Sequence, residues 1–195
     1  MPSGHLRINK NIIQKAITEV LVALQENPQR DGLKDTPKRV AKAYQELLSG
    51  YNENPKDAIR LFPSNGFHEL VAVTNIDFYS LCEHHMLPFF GKAHIGYIPN
   101  GKILGLSKFA RIVEIYSKRL QTQENLTKQI FDLISKNVSP KGLVVLLEAK
   151  HLCVSMRGIK SNGFVTKTAL MGGSLKANSQ LVNQFYRDID SKNRV

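Results

Sequence analysis

Apolar residues recur at helical spacing in two segments near the start of the chain. The first segment, residues 10–25, carries the apolar positions Ile12, Ile13, Ala16, Ile17, Val20, Leu21 and Leu24. This spacing predicts an amphipathic helix that ends at Asn27-Pro28. The second segment has Asp35 or Thr36 as its cap, Pro37 in its first turn and Gly50 at its end. Residues 10–50 are therefore predicted to form a helical pair, followed by a long Asn-, Pro-, Asp- and Gly-containing connection over 51–67.

The hydrophobic pattern changes after this connection. Residues 69–79 and 90–98 are rich in β-branched and aromatic side chains, which predicts two strands. Helical spacing returns in two segments, one with Ser107 as its cap and one that ends before Pro140. Strands are then predicted at 143–147, 151–157 and 164–170, and a last helix over 178–189. We summarise this order as ββααββ after a helical pair, which predicts an α+β protein with a largely antiparallel sheet.

Composition excludes several classes of protein. With 42% hydrophobic and 22% charged residues, the 195-residue chain is not typical of disordered, collagen-like or disulfide-stapled proteins. No stretch approaches the ~20 apolar residues of a membrane helix, and the first residues are too polar for a signal peptide. We expect a cytoplasmic protein without a membrane partner.

The net charge of +11 predicts attraction to polyanions, namely nucleic acid, an anionic surface or a phosphorylated substrate. The sign alone does not choose among them. The chain has no Trp and no aromatic-interleaved basic stripe, which makes a nucleic-acid partner the least favoured of the three.

Both cysteines and four of the six histidines lie in or beside two short regions: Cys82, His84, His85 and His94 in one, and His151 and Cys153 in the other. The C-x-x-H spacing of Cys82 and His85 suits one tetrahedral ion, and zinc favours both thiolate and imidazole. A strand over 151–157 would point Cys153 and His151 into the same site. Three protein ligands would leave one position for a water of lowered pKa, as in catalytic zinc sites.

Two other interpretations of these residues stay open at this point. The cysteines could be small buried hydrophobic residues with the histidines scattered around them. Alternatively, the zinc site could be structural, with four ligands completed by His84, His94 or His151.

Longer runs around these residues resemble one family. The runs are CEHHMLPF at 82–89, GKAH at 91–94, YIP at 97–99, GLSK at 105–108, RIV at 111–113, RLQTQE at 119–124, EAKHLCVSMRG at 148–158 and GLKDTPKRV at 32–40. Together they are similar to the motifs of the GTP cyclohydrolase I family, and they cover nearly the whole chain from about residue 10.

The resemblance implies a reaction and the residues that perform it. The family hydrates GTP at C8, releases that carbon as formate and recloses a larger ring, which gives 7,8-dihydroneopterin triphosphate without a redox cofactor. Three residues would bind Zn²⁺, namely Cys82, His85 and Cys153. His151 would protonate the purine nitrogen, His84 would be a second proton-transfer group, and Ser107 would assist the later ribose rearrangement.

The resemblance also implies how GTP is held. The triphosphate would be bound by the cations Arg39, Lys108, Arg111 and Arg157, with Leu106 and Ser107 also lining the substrate site. Gln123 and Glu124 would contact the guanine edge, because a carboxylate accepts from the ring N–H and the 2-amino group of guanine. Without the resemblance, the charged residues would be interpreted as solvated helix faces or helix-start carboxylates.

The family fold implied by the resemblance is the tunnelling fold, in which ββααββ units assemble into a barrel. It implies a homo-oligomer, a decamer made of two pentamers, with Arg39 contributing to sites shared between subunits. It also divides the chain into a helical region and linker at 1–66 and a catalytic tunnelling-fold domain at 67–195. Exposed strand edges in a lone sheet of this kind favour assembly as well.

The chain departs from the common family pattern at a few positions. Asn125 and Thr122 stand where the family commonly has Arg and Val, and Gly163-Phe164 replaces a Ser-rich approach to the last strand. A related enzyme that uses dihydroneopterin triphosphate would typically replace the two cysteines by histidines, so Cys82 and Cys153 argue against that alternative.

Overall fold

A computed structural model of the chain describes residues 8–158, 160 and 163–190. The helices of more than one turn are α1 Lys10–Ala23, α2 Thr36–Leu47, α3 Leu106–Ser117, α4 Gln123–Val138 and α7 Ser179–Asp190, and the single turns are α5 Leu152–Ser155 and α6 Ser174–Ala177. The strands are β1 Leu61–Pro63, β2 Val71–Cys82, β3 Pro88–Ile98, β4 Lys102–Leu104, β5 Leu120–Gln121, β6 Gly142–His151 and β7 Thr166–Gly173.

The predicted helical pair is confirmed, and α1 packs against α2. Asn9 caps α1, because its side chain accepts a hydrogen bond from the Ile12 amide at 3.2 Å. Asp35 occupies the cap position of α2 but makes no capping bond and pairs with Arg39 instead. The second helix ends at Leu47, ahead of the predicted end at Gly50, because a 3₁₀ turn at Ser49–Asn52 replaces its last residues.

The connection after α2 is more ordered than the sequence predicts. It holds two 3₁₀ turns, Ser49–Asn52 and Pro55–Ala58, and strand β1, which pairs antiparallel with β4. At Gly50 the backbone lies so close to α3 that an added Cβ would be 2.0 Å from the Ile115 carbonyl oxygen. The segment is therefore fixed against α3, and the division of the chain at residue 66 stays a prediction.

The main sheet confirms the predicted ββααββ order. Its strands run β5-β2-β3-β6-β7, antiparallel except for a short parallel pairing of β5 with β2. Helices α3 and α4 pack on one face, where β-branched, leucine and aromatic side chains form the larger core. Helix α7 packs on the other face through the fully buried Phe185. The protein is thus a mixed α+β structure consistent with the family fold.

The prediction of a strand over 151–157 is wrong. Strand β6 continues unbroken to His151, and residues 152–155 then form one helical turn. In this turn the Met156 amide donates to the Leu152 carbonyl at 3.1 Å, and the Ser155 hydroxyl donates to the His151 carbonyl at 3.1 Å. Local hydrogen bonding of this kind competes with strand pairing, so the predicted alternation of side chains does not hold here.

The predicted cap of α3 is also wrong. Gly105 is the residue before the helix, and Ser107 lies inside the first turn of α3 rather than at its start. Among the described residues, no helix is both long and apolar enough to span a bilayer.

Gly96 of β3 is the position where α7 comes closest to the sheet. An added Cβ would lie 2.7 Å from Phe185 Cδ2 and 2.9 Å from Val144 Cγ1. Because Phe185 is fully buried, its ring has little room to yield. We expect Gly96→Ala to lower the free energy of unfolding by about 1–3 kcal/mol, measured by urea denaturation.

Gly163→Ala is the matched control, because an added Cβ there meets no atom within 4 Å. We expect it to leave the unfolding midpoint within the error of the measurement. Equal stabilities for Gly96→Ala and the parent protein would show that α7 does not pack against β3 as described.

Candidate metal centre and active site

The loop between β2 and β3 is closed by its own backbone. The Cys82 amide donates to the Leu87 carbonyl at 2.9 Å, and the Cys82 carbonyl accepts from the Met86 amide at 2.7 Å. Met86 has a left-handed φ of 53°, which turns the chain back toward β3. These bonds place Cys82 and His85 at one end of the sheet.

Cys153 reaches the same end through β6. The pairing of β3 with β6 sets His151 opposite Phe89, and the turn that follows carries Cys153 against β3. The ligand atoms of Cys82, His85 and Cys153 all lie within 4.8 Å of one another. The Cys82 Sγ to His85 Nδ1 distance is 3.8 Å. The three predicted ligands are thus brought together as a group that could hold a metal ion.

The chemistry of this group fits zinc. Zinc–sulfur bonds of ~2.3 Å and zinc–nitrogen bonds of ~2.0–2.1 Å need ligand atoms less than about 4 Å apart, close to the arrangement here. Burial raises the pKa of the Cys153 thiol, and the neighbouring Cys82 raises it further. A metal ion bound by this group would lower the pKa of both thiols, because metal binding requires thiolates.

Three histidines are candidates for a fourth ligand, and each makes contacts outside the Cys82, His85 and Cys153 group. His94 is buried in β3, where its Nδ1 accepts from the Asn75 amide at 3.3 Å, and His151 is bonded to Gln123. His84 is exposed, with its Nδ1 3.9 Å from Cys82 Sγ and its Nε2 3.8 Å from Glu83. In the described part of the chain, the group of potential ligands therefore contains three residues.

His151 is held rigidly beside this group. Its ring lies parallel to that of Phe89, with 4.8 Å between the centroids and an angle of 1° between the planes. Its Nε2 lies 2.8 Å from Gln123 Oε1. Burial lowers the pKa of His151, and the charge of Glu124 opposes this effect only in part. Burial therefore favours the neutral form of the His151 ring.

The Gln123 side chain fixes which ring nitrogen carries the proton. Its amide nitrogen donates to the Leu147 carbonyl, the Thr166 carbonyl and the Thr168 hydroxyl, at 3.0, 3.0 and 3.1 Å. These acceptors assign the amide orientation, so Oε1 faces His151 and accepts from Nε2–H. The neutral ring then presents Nδ1 as its free acceptor position.

The structure also gives Gln123 a set of contacts inside the chain. The residue is only 1% exposed, and both ends of its amide are bonded inside the chain. Its side chain contacts His151, and its contact with a guanine edge stays a prediction. Glu124 is exposed in the first turn of α4, and its contact with guanine likewise stays a prediction.

The predicted substrate residues of α3 form a second group. Leu106, Ser107 and Arg111 are exposed on the first turns of the helix, with Lys108 half-buried beside them. Arg111 lines two cavities, one of about 400 Å³ shared with Ser107 and one of about 370 Å³ shared with Lys108. Its guanidinium is paired with two carboxylates, those of Glu53 and Glu114.

The other two predicted cations lie apart from α3 in the chain. Arg157 is exposed after α5, close in sequence to Cys153. Arg39 is exposed on α2, whose main neighbours are α1 and the first 3₁₀ turn, and it pairs with Asp35. A single chain therefore does not place Arg39 beside the metal group.

The departures from the family pattern have local structural roles. Thr122 caps α4 by accepting from the Asn125 amide at 3.2 Å, and the Asn125 side chain donates to Gln121 Oε1 at 2.9 Å. Phe164 is exposed ahead of β7. None of the three lies among the metal-binding atoms.

Comparison with known proteins agrees with this site. The family model described as GTP cyclohydrolase I matches residues 13–190. The chain belongs to the GTP cyclohydrolase I family. Membership in that family makes the protein a hydrolase of pterin and folate biosynthesis.

Several curated relatives carry the name GTP cyclohydrolase 1. The protein from Streptococcus agalactiae serotype Ia is 52% identical over 86% of this chain and 90% of its own. The Campylobacter jejuni protein is 49% identical over 93% and 96%. The Chlorobium chlorochromatii protein is 48% identical over 90% and 79%.

Sequence analysis missed several residues that shape the site. Phe89 follows the metal loop, but only the register of β3 against β6 shows that its ring lies on His151. Thr168 and Glu53 are far along the chain from their partners Gln123 and Arg111. The alternation of Thr166 and Thr168 within a predicted strand was the available indication for Thr168.

We expect Cys153→Ala to lose its metal, because only two protein ligands remain. Bound zinc, measured by atomic emission after dialysis, should fall from about one ion per chain to near zero, with affinity reduced by at least ~100-fold. Met156→Ala is the control, since this exposed residue lies three positions away and offers no ligand to the group. A Cys153→Ala protein that keeps one zinc would exclude this metal site.

Proposed function

We propose that the chain converts GTP and water to formate and 7,8-dihydroneopterin triphosphate. The observation that carries this proposal is the convergence of Cys82, His85 and Cys153 beside an oriented His151. Family membership supplies the substrate and the reaction type.

Cys82, His85 and Cys153 would hold Zn²⁺, which when bound supplies a water of lowered pKa at the position that protein ligands leave open. Nδ1 of His151 is the free position of the neutral ring because Nε2–H is hydrogen-bonded to Gln123. Nδ1 takes up the proton that the attacking water releases and passes it to the purine nitrogen next to C8. His84, exposed on the metal loop, is the second proton-transfer group. Ser107 assists the rearrangement of the opened ribose.

GTP would be held at its two ends by different elements. Glu124 accepts from the guanine N–H groups, and Leu106 lies at the start of α3 beside the substrate site. The triphosphate is bound by the cations Lys108, Arg111, Arg157 and Arg39. Arg39 would come from a second chain, since its own chain holds it away from the metal group.

We also propose that the protein is a homo-oligomer, a decamer of two pentamers as the family resemblance implies. The fold supports assembly, because within the part of the chain that the structure describes β7 pairs with β6 alone and β2 pairs with β5 only at Leu81 and Cys82. These sheet edges would otherwise present unpaired backbone groups. Helix α1 adds exposed apolar side chains, namely Ile12, Val20 and Val22.

The reaction is tested by incubating the zinc-loaded protein with GTP. We expect formate and, after oxidation, fluorescent neopterin in equal amounts. Formate without pterin would show that ring opening persists while the ribose rearrangement fails, which implicates Ser107 or His84. No formate from a metal-replete oligomer would refute the proposed function.

The role of Gln123 gives a second activity test. Gln123→Leu leaves the Nε2–H of His151 without its acceptor, so we expect kcat to fall by about 10–100-fold while zinc is retained. The pKa of His151, followed by NMR, should shift in the same variant.

Thr168→Val is the matched control for Gln123→Leu. It removes one hydrogen-bond partner of the Gln123 amide nitrogen but leaves the contact with His151 in place. We expect kcat to change less than about threefold, with a stability loss of roughly 1 kcal/mol. Equal losses of kcat in both variants would mean that Gln123 acts through packing and not through His151.

A further inference from the structure

Arg111 is engaged on both of its terminal nitrogens. Nη2 lies 2.6 Å from Glu53 Oε2, and Nη1 lies 2.8 Å from Glu114 Oε2. Glu114 belongs to the same helix and is also paired with Lys118 at 2.9 Å. Glu53 comes from the connection after α2, 58 residues before Arg111 in the chain. The guanidinium that would bind the triphosphate is therefore already paired with two carboxylates.

The backbone of Glu53 is fixed by contacts to another arginine. The Glu53 carbonyl accepts from Arg119 Nη2 at 3.3 Å, and the Gly50 carbonyl accepts from Arg119 Nε at 3.1 Å. The Tyr51 hydroxyl accepts from the Leu120 amide at 3.1 Å, and the Arg119 guanidinium lies over the Tyr51 ring. These contacts anchor the backbone that carries Glu53, so Glu53 is presented to Arg111 from a segment that is itself held against Arg119.

We propose that Glu53 is a positioning residue that holds the guanidinium of Arg111 until the triphosphate of the substrate displaces it. This inference rests on the proposed function, in which Arg111 is one of the phosphate-binding cations. Carboxylate and phosphate oxygens compete for the same guanidinium N–H groups, because the planar fork matches both. Glu53 also borders the cavity that Lys108 and Arg111 line, where its charge repels a polyanion.

This competition between Glu53 and phosphate for Arg111 changes the affinity for the triphosphate and leaves the chemical step unchanged. Glu53→Gln keeps the size of the side chain and removes the charge that holds Arg111. Both partners are partly exposed to solvent, so the effect is moderate. We expect the Kd for inorganic tripolyphosphate and the KM for GTP to fall by about two- to fivefold, with kcat unchanged.

Calorimetric titration of the zinc-loaded protein with tripolyphosphate gives a readout that does not depend on turnover. Glu26→Gln is the matched control, because it removes the same charge from an exposed ion pair with Arg30 between α1 and α2. It should leave both constants unchanged. The Glu53→Gln effect should vanish in an Arg111→Ala background, since the carboxylate is proposed to act through that guanidinium.

The possible outcomes of these experiments test the inference separately from the proposed function. Unchanged or weaker binding by Glu53→Gln refutes it, as does an equal gain in the Arg111→Ala background, which would show a general charge effect. Tripolyphosphate that does not bind the parent protein also refutes it. Tighter tripolyphosphate binding by Glu53→Gln, in a protein that releases no formate from GTP, would support the inference and refute the proposed function.

Discussion

The antiparallel pairing of β3 with β6 is the constraint on which the site depends. Its register runs without a shift from Phe89 opposite His151 to Ile98 opposite Gly142. A slip of one residue would turn His151 to the opposite face of the sheet and move Cys153 away from the metal loop. The large buried side chains of both strands hold the register, because the same slip would remove Ile95, Tyr97, Val145 and Leu147 from the larger core and turn them to the face that α7 covers.

Gln123 joins the stability of the sheet to the chemistry of the site. One buried amide connects the start of α4 with β6, with β7 and with the ring of His151. In such a network each bond fixes the geometry of the others, and a buried polar group left without a partner is destabilising. The same side chain therefore joins the sheet to α4 and also orients the ring of His151, which restricts the residues that this position can accept.

The sequence predicted those features that depend on local pattern or on motif. The helical pair, the ββααββ order and the grouping of Cys82, His85 and Cys153 are of this kind. The helical turn at 152–155 was missed, because its alternating side chains resemble a strand while the Ser155 hydroxyl and backbone bonds decide its conformation. The buried state of Gln123 and the pairing of Glu53 with Arg111 arise from contacts between distant segments, which neither spacing nor composition reveals.

The hairpin that carries Cys82 and His85 is held by protein groups alone. Its closing bonds join Cys82 with Leu87 and Met86 through the backbone, and a large apolar core supports the strands on either side. Small zinc domains, in contrast, are unfolded without metal because the ion replaces a core. Here the apolar core does not depend on the ion, so under the proposed function the supply of zinc would control what fraction of the folded molecules is active and would have little influence on how many fold.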